Sequence, residues 1–174
     1  MNAVIDNMMS RISCKSYSDR MPSKEDINLL VDAGLRAPSG KNRQAPIIIA
    51  ITNKELRDSL SRANAEILGA KGVDPFYNAP CVLLVIAEKN NTHIYDGSCT
   101  CENILLAAHS LGLAACWIHR AKEELELPEF HALLNKLGIE GDYAGIANII
   151  VGYPKEDFHK DPVPVKDGRK FFIE

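Results

Sequence analysis

A single domain that mixes α-helices with β-strands is the fold this sequence predicts. Three observations carry that expectation. Stretches of helical period follow one another along the chain with short β-branched or unbroken apolar runs of strand length between them. The 174 residues, 46% of them hydrophobic, suffice for one ordinary core and are short for two. One long helical stretch is apolar on nearly every side and must be buried.

The elements follow in chain order. In "RISCKSYSD", Arg11, Ser13 and Lys15 stand at alternate positions, so an extended backbone points all three the same way. Arg supplies a planar fork suited to phosphate oxygens and Lys a compact point charge; from these residues alone, a solvated edge is an equally good account. Ser23 and Asp26 form a capping-box-like start. Ile27, Leu30, Val31, Gly34 and Leu35 then repeat at helical spacing until Pro38 stops the helix. The following string Ala37 to Gln44, "APSGKNRQ", is unusually polar for a connection between buried elements, although turn formation explains it locally.

Pro46 to Thr52 reads as a buried strand, and Leu56, Leu60, Ala63 and Ile67 stripe a more polar helix ending near Gly69. Val73 to Asn78 is a loop. The unbroken run Cys81 to Ala87 suits a central strand covered on both faces. From about Thr92 to Leu113 runs the long helix, with Cys101, Ile104, Leu105, Ala107, Ala108 and Leu111 leaving hardly any polar face in its second half. So small a chain cannot wrap it alone, and a homodimer interface is the natural complement. Ala115 to Ile118 is a short strand, Pro128 opens a helix to Leu137, and Ala144 to Val151 is a strand ending at Gly152. Beyond Pro154 the chain is polar and proline-spaced, and its close on Arg169, Lys170, Phe171 and Phe172 suits a tail that docks.

Charge and motif content narrow the function. A formal charge of -3 with mixed signs offers no basic field for nucleic acid and no polybasic membrane patch, which leaves small molecules or proteins as partners. No leader-like start and no run long enough to span a bilayer are evident, so a cytoplasmic protein is expected. Its five cysteines read as reduced thiols, mostly packing residues. There is no glycine-rich nucleotide loop, and the histidines at 93, 109, 119, 131 and 159 lack zinc-site spacing. Cys116, close to His119, is a competing candidate nucleophile, as is the Cys99/Cys101 pair.

Taken together, Arg11-x-Ser13-x-Lys15, then a helix, then Ala-Pro-Ser-Gly-x-Asn-x-Gln before a strand, resembles the nitroreductase family of FMN-dependent flavoproteins. "NAPCVLLV", "ENILLAAHSLGLAACWI" and "VGYP" follow in the family's order, so the resemblance spans nearly the whole chain. It implies one domain over residues 1–174, an α+β sandwich whose central, mostly antiparallel sheet is flanked by helices, in an intertwined homodimer with FMN at the interface. The tail, about 155–174, would dock on that dimer. Arg11 would bind the FMN phosphate, Ser13 the ribityl chain or the polar flavin edge, and Lys15 the edge carrying N1. From the partner subunit, Pro38, Ser39, Gly40 and Asn42 would line the other side, with Gly40 letting the backbone come close. Trp117, Ile118 and His119 would pass near the ring, and Arg169 with Lys170 would complete the phosphate cage.

The implied chemistry is oxidoreduction without a protein nucleophile: NADH or NADPH delivers hydride to flavin N5 and leaves. A small-molecule electron acceptor, nitroaromatic, quinone or similar, then takes its place. A flavin-binding or electron-relay protein without nicotinamide turnover is the alternative. Two departures stand out. Ala45, Pro46 and Ile47 replace the usual Pro-Trp after Gln44, and His119 and Arg120 stand where the family often has small or glycine-like residues. His119 is a candidate substrate contact or an exposed turn residue, and the short chain suggests a rather open pocket.

Overall fold

Strand β2, Cys81–Glu88, is buried at every position but its last, as an unbroken apolar run requires. The computed structural model, which describes residues 2–174, sets it beside β1 (Pro46–Ile51) and β4 (Tyr143–Gly152), with β3 (Ala114–Ile118) on the far side of β4. The sheet order is β1-β2-β4-β3 and every pairing is antiparallel. Leu83 faces Ile149 across the central pair, and the register slips between Val85 and Ile86. β1 differs from expectation: it is an edge strand, buried only at Pro46 and Ile51. Its β-branched run speaks for a strand but is silent on its place in the sheet.

Period-two alternation along β2 divides the core. Val82, Leu84 and Ile86 turn to one face, where Leu60, Phe76, Phe130 and Leu134 cover them. Cys81, Leu83, Val85 and Ala87 turn to the other, against Leu30, Cys101, Ile104 and Ala108. The first layer is built by α3 (Lys54–Leu68), α5 (Ala121–Leu125) and α6 (Pro128–Lys136). The second is α2 (Lys24–Leu35) and α4 (His93–Ser110).

Local chemistry explains the helix ends. Ser23 Oγ accepts from the Asp26 amide at 3.0 Å, Asn53 caps α3 in the same way, and Gly69 closes α3 at φ 73°. Pro128 occupies the first turn of α6. Two helices escaped the periodicity: α1 (Ala3–Ser10), which has no buried residue, and the five-residue α5.

Within one chain α4 is covered on one side only. Thr100, Cys101, Ile104, Leu105 and Ala108 are buried, while Tyr95 is 72% exposed and Ile94, Cys99 and Glu102 also face outward. α1 lies against its second half, with Asn7 donating to the Leu106 carbonyl, and itself exposes Val4, Ile5, Met8 and Met9. The tail is tied at its start by the Tyr17–Pro154 bridge and by Lys155 donating to the Ser16 carbonyl. Phe158 packs partly on the core; from His159 onward every residue is exposed. No helix among the described residues is long and apolar enough to cross a membrane.

Candidate functional site

Arg11 caps the C-terminus of α1, and from there the chain runs beside β3, the Cys14 amide donating to the Ala115 carbonyl at 3.2 Å. Burial raises the Cys116 thiol, and the hydrogen bond with Ser13 and the charges of Lys15 and Arg11 act against that rise. Arg11 Nε stands 4.0 Å from Glu102 of α4, and its Nη1 is buried with no hydrogen-bond partner. A charged donor in that state is costly, and an anion seated beside it removes the cost. Lys15 Nζ lies 5.4 Å from the centre of the Tyr77 ring.

The loop 37–44 is held against the start of α4. The Gly40 amide donates to Asp96 Oδ1 at 2.9 Å, and Thr92 Oγ1 donates to the other oxygen of this buried carboxylate at 2.9 Å. Glycine at 40 serves that fit: a Cβ there would stand 2.6 Å from Thr92 Oγ1, so the close approach is to the chain's own helix. Ser39 Oγ accepts from the Gln44 amide, and Gln44 Nε2 donates to Asn42 Oδ1 at 3.2 Å. Lys41, Asn42 and Gln44 all have positive φ. The polar side chains thus build a rigid turn that lies on the surface beside α4.

Trp117 and His119 line a cleft of about 810 Å³ with Ile94 and Ser98 of α4 and Tyr143 and Ile146 of β4. Ile118, expected beside them, points through the sheet and packs on the opposite core. Alternation along β3 dictates this. Arg120 follows at φ 82°, the left-handed region that glycine occupies without cost, which accounts for small residues being usual there. Its guanidinium binds Glu123 at 2.9 Å.

Behind this turn lies a group that local sequence did not single out. Glu124 is fully buried and accepts from Asn64 and Asn148, and burial pushes its carboxyl up to about 7. In "AKEELEL" it reads as one acid among several on a solvated helix. Its burial is decided by Gly145, whose missing side chain lets α5 settle on β4.

The predicted residues form separate groups in one chain. Arg11 sits by Glu102, while loop 38–42 sits by Asp96, six residues or about 9 Å away along α4. Arg169 and Lys170 stand in the exposed tail. Four of the five thiols are poor nucleophiles: burial raises Cys116 and Cys14 and pushes Cys81 and Cys101 up to about 12, while Cys99 is exposed. That removes the support for a reaction through Cys116 or Cys101.

Comparison with known proteins gives the family and the fold. The model of the Nitroreductase family matches residues 8–153. A nitroreductase with bound FMN from Bacteroides fragilis NCTC 9343 superposes with a TM-score of 0.91 at 28% identity, covering 100% of both chains. One from Desulfitobacterium hafniense DCB-2, also with bound FMN, gives 0.88 at 25% identity over 100% of both chains. The FMN reductase (NAD(P)H) of Bacillus subtilis is 25% identical over 93% of this chain and 70% of its own.

Proposed function

From the premise that this chain belongs to the nitroreductase family, we propose that it is an FMN-dependent homodimer. It passes electrons from NADH or NADPH to a small-molecule acceptor of the nitroaromatic or quinone type. The observation that carries this is the buried, unpartnered Nη1 of Arg11. Such a donor fits a phosphate dianion, and Lys15 stands four residues further on the same strip.

A two-fold arrangement supplies what one chain lacks. If the exposed faces of two α4 helices pair antiparallel, the first half of one helix, with its loop 38–42, lies beside the second half of the other, with its Arg11. The two groups, about 9 Å apart along α4 in one chain, then meet across the interface. The rigid turn held by Asp96 presents Pro38, Ser39, Gly40 and Asn42 of the partner subunit to the flavin. Arg169 and Lys170, in the exposed tail, would complete the phosphate cage.

FMN held by these residues would supply two-electron chemistry between a nicotinamide and the acceptor. The chain's own part is binding and orientation. Arg11 neutralises the phosphate, Ser13 hydrogen-bonds the ribityl side, Lys15 places positive charge at the pyrimidine edge, and Trp117 and His119 wall the cleft in which the reactants stack. The test is anaerobic reduction of the purified protein. NADH or NADPH should bleach its visible flavin absorbance, and a quinone should restore it. Protein that stays colourless after incubation with FMN and desalting, or a bound flavin that neither nicotinamide bleaches, would overturn the proposal.

A further inference from the structure

Glu124 joins three elements at one point. Its Oε1 accepts from Asn64 Nδ2 of α3 at 2.5 Å, and its Oε2 from Asn148 Nδ2 of β4 at 2.7 Å. The same Asn64 nitrogen donates its second hydrogen to the His119 carbonyl at 2.7 Å. The turn so held is pinned on its other side as well, where a Cβ on Gly145 would stand 2.0 Å from the Ala121 carbonyl oxygen. Inside the cluster, Asn148 Oδ1 is buried without a partner. With that amide turned over, Oδ1 would accept from a protonated Glu124 carboxyl in place of the bond that Nδ2 donates.

We infer that Glu124 is a positioning residue: acting through Asn64, it fixes the His119 turn that walls the cleft, and it holds that wall firmly only while the carboxyl is protonated. Ionisation would place a charge in the interior with no cation to meet it, drawing in water and loosening the cluster. The groups packed around it bear this out. α3 contributes Asn64 and β4 contributes Asn148, while β2 and α6 present apolar side chains. Glu123 is the charged neighbour whose field reaches it, a like charge already bound to Arg120, and Lys122 and His119 face the cleft. Burial is the main cause that lifts the carboxyl from its ordinary 4.5 to about 7, against the hydrogen bonds from Asn148 and Asn64, with Glu123 adding to the rise. The native chain therefore keeps a proton that the unfolded chain releases, and stability falls as pH climbs from 4.5 through about 7.

The kinetic consequence rests on the function proposed above, but the structural one does not. Trp117 is the sole tryptophan and lines the cleft with His119, so its fluorescence reports on this wall directly. In the protein as purified, Trp117 emission should change with an inflection near pH 7. The inflection should persist in His93→Gln, His119→Gln and His131→Gln and vanish in Glu124→Gln. The acceptor KM should rise about fivefold across the same range, the low end of a two-site coupling, and lose that dependence in Glu124→Gln. Asn64→Ser, which cuts the link to His119 but keeps the acid, should flatten the Trp117 response too. An inflection that survives in Glu124→Gln, or a Glu124→Gln that lowers thermal stability and leaves both pH profiles intact, would overturn the inference. If no nicotinamide turnover is found, the Trp117 titration still decides it.

Discussion

Arg11 and His119 are both candidate site residues, yet the physics separates them. Arg11 has a buried charged donor awaiting an acceptor, whereas His119 is exposed and tied to the fold through its backbone carbonyl. A charge-assisted bond to phosphate contributes about 1.5–3 kcal/mol. Arg11→Ala should therefore weaken FMN binding at least about tenfold, and His119→Ala only slightly, since 1.4 kcal/mol is a factor of about ten. Quenching of flavin fluorescence on titration with protein measures both, and equal losses would count against the phosphate assignment. At this scale the sequence was legible wherever a local pattern carried the meaning. Arg11, Ser13 and Lys15 alternate, and alternation beside a strand survives folding. Glu124 was not legible, because its neighbours in sequence are solvated acids and what buries it is a glycine twenty-one residues later. A side chain's surroundings in space leave no mark on its own segment.

Among the elements, the seat of α5 on β4 is the least forgiving. A Cβ on Gly145 meets the carbonyl oxygen of Ala121 at 2.0 Å and the Lys122 nitrogen at 2.7 Å, and backbone atoms cannot swing aside as a side-chain end can. Gly145→Ala should push α5 outward, break the Asn64–Glu124–Asn148 cluster and cost about 3 kcal/mol or more, the upper end of overpacking. Urea denaturation should show a lowered midpoint at an unchanged slope. Long periodic elements such as α2, α3 and β2 were readable because burial of one face writes a period into the sequence. α5 is too short to show a period, and α1 buries nothing of its own, so neither left a signal. The edge position of β1 and the departure of Ile118 to the other core are facts of pairing and of strand face, which runs of apolar residues do not encode.

At the scale of the whole molecule, the apolar second half of α4 is a pattern in the sequence that calls for a second subunit. The single chain shows a surface still uncovered, though further toward the first half of the helix than the sequence suggested: Ile94 and Tyr95 of α4, with Val4, Ile5, Met8 and Met9 of α1, are all exposed. These exposed apolar side chains are what the proposed second subunit would cover. Tyr95, 72% exposed, makes a clean test, because replacing it disturbs little inside the chain, and an acid in the early turns of a helix favours the dipole. Tyr95→Asp should fold with nearly unchanged thermal stability per chain, yet bury a charge wherever two α4 helices meet. Sedimentation should give twice the 19.2 kDa chain mass for the natural protein and a species near that single mass for the variant at micromolar concentration. If the proposed dimer is what brings Arg11 and loop 38–42 of the second copy together, the monomeric variant should also lose bound FMN on desalting. A natural protein that sediments as a monomer while retaining FMN would refute the shared site and leave Arg11 to hold the phosphate within one chain.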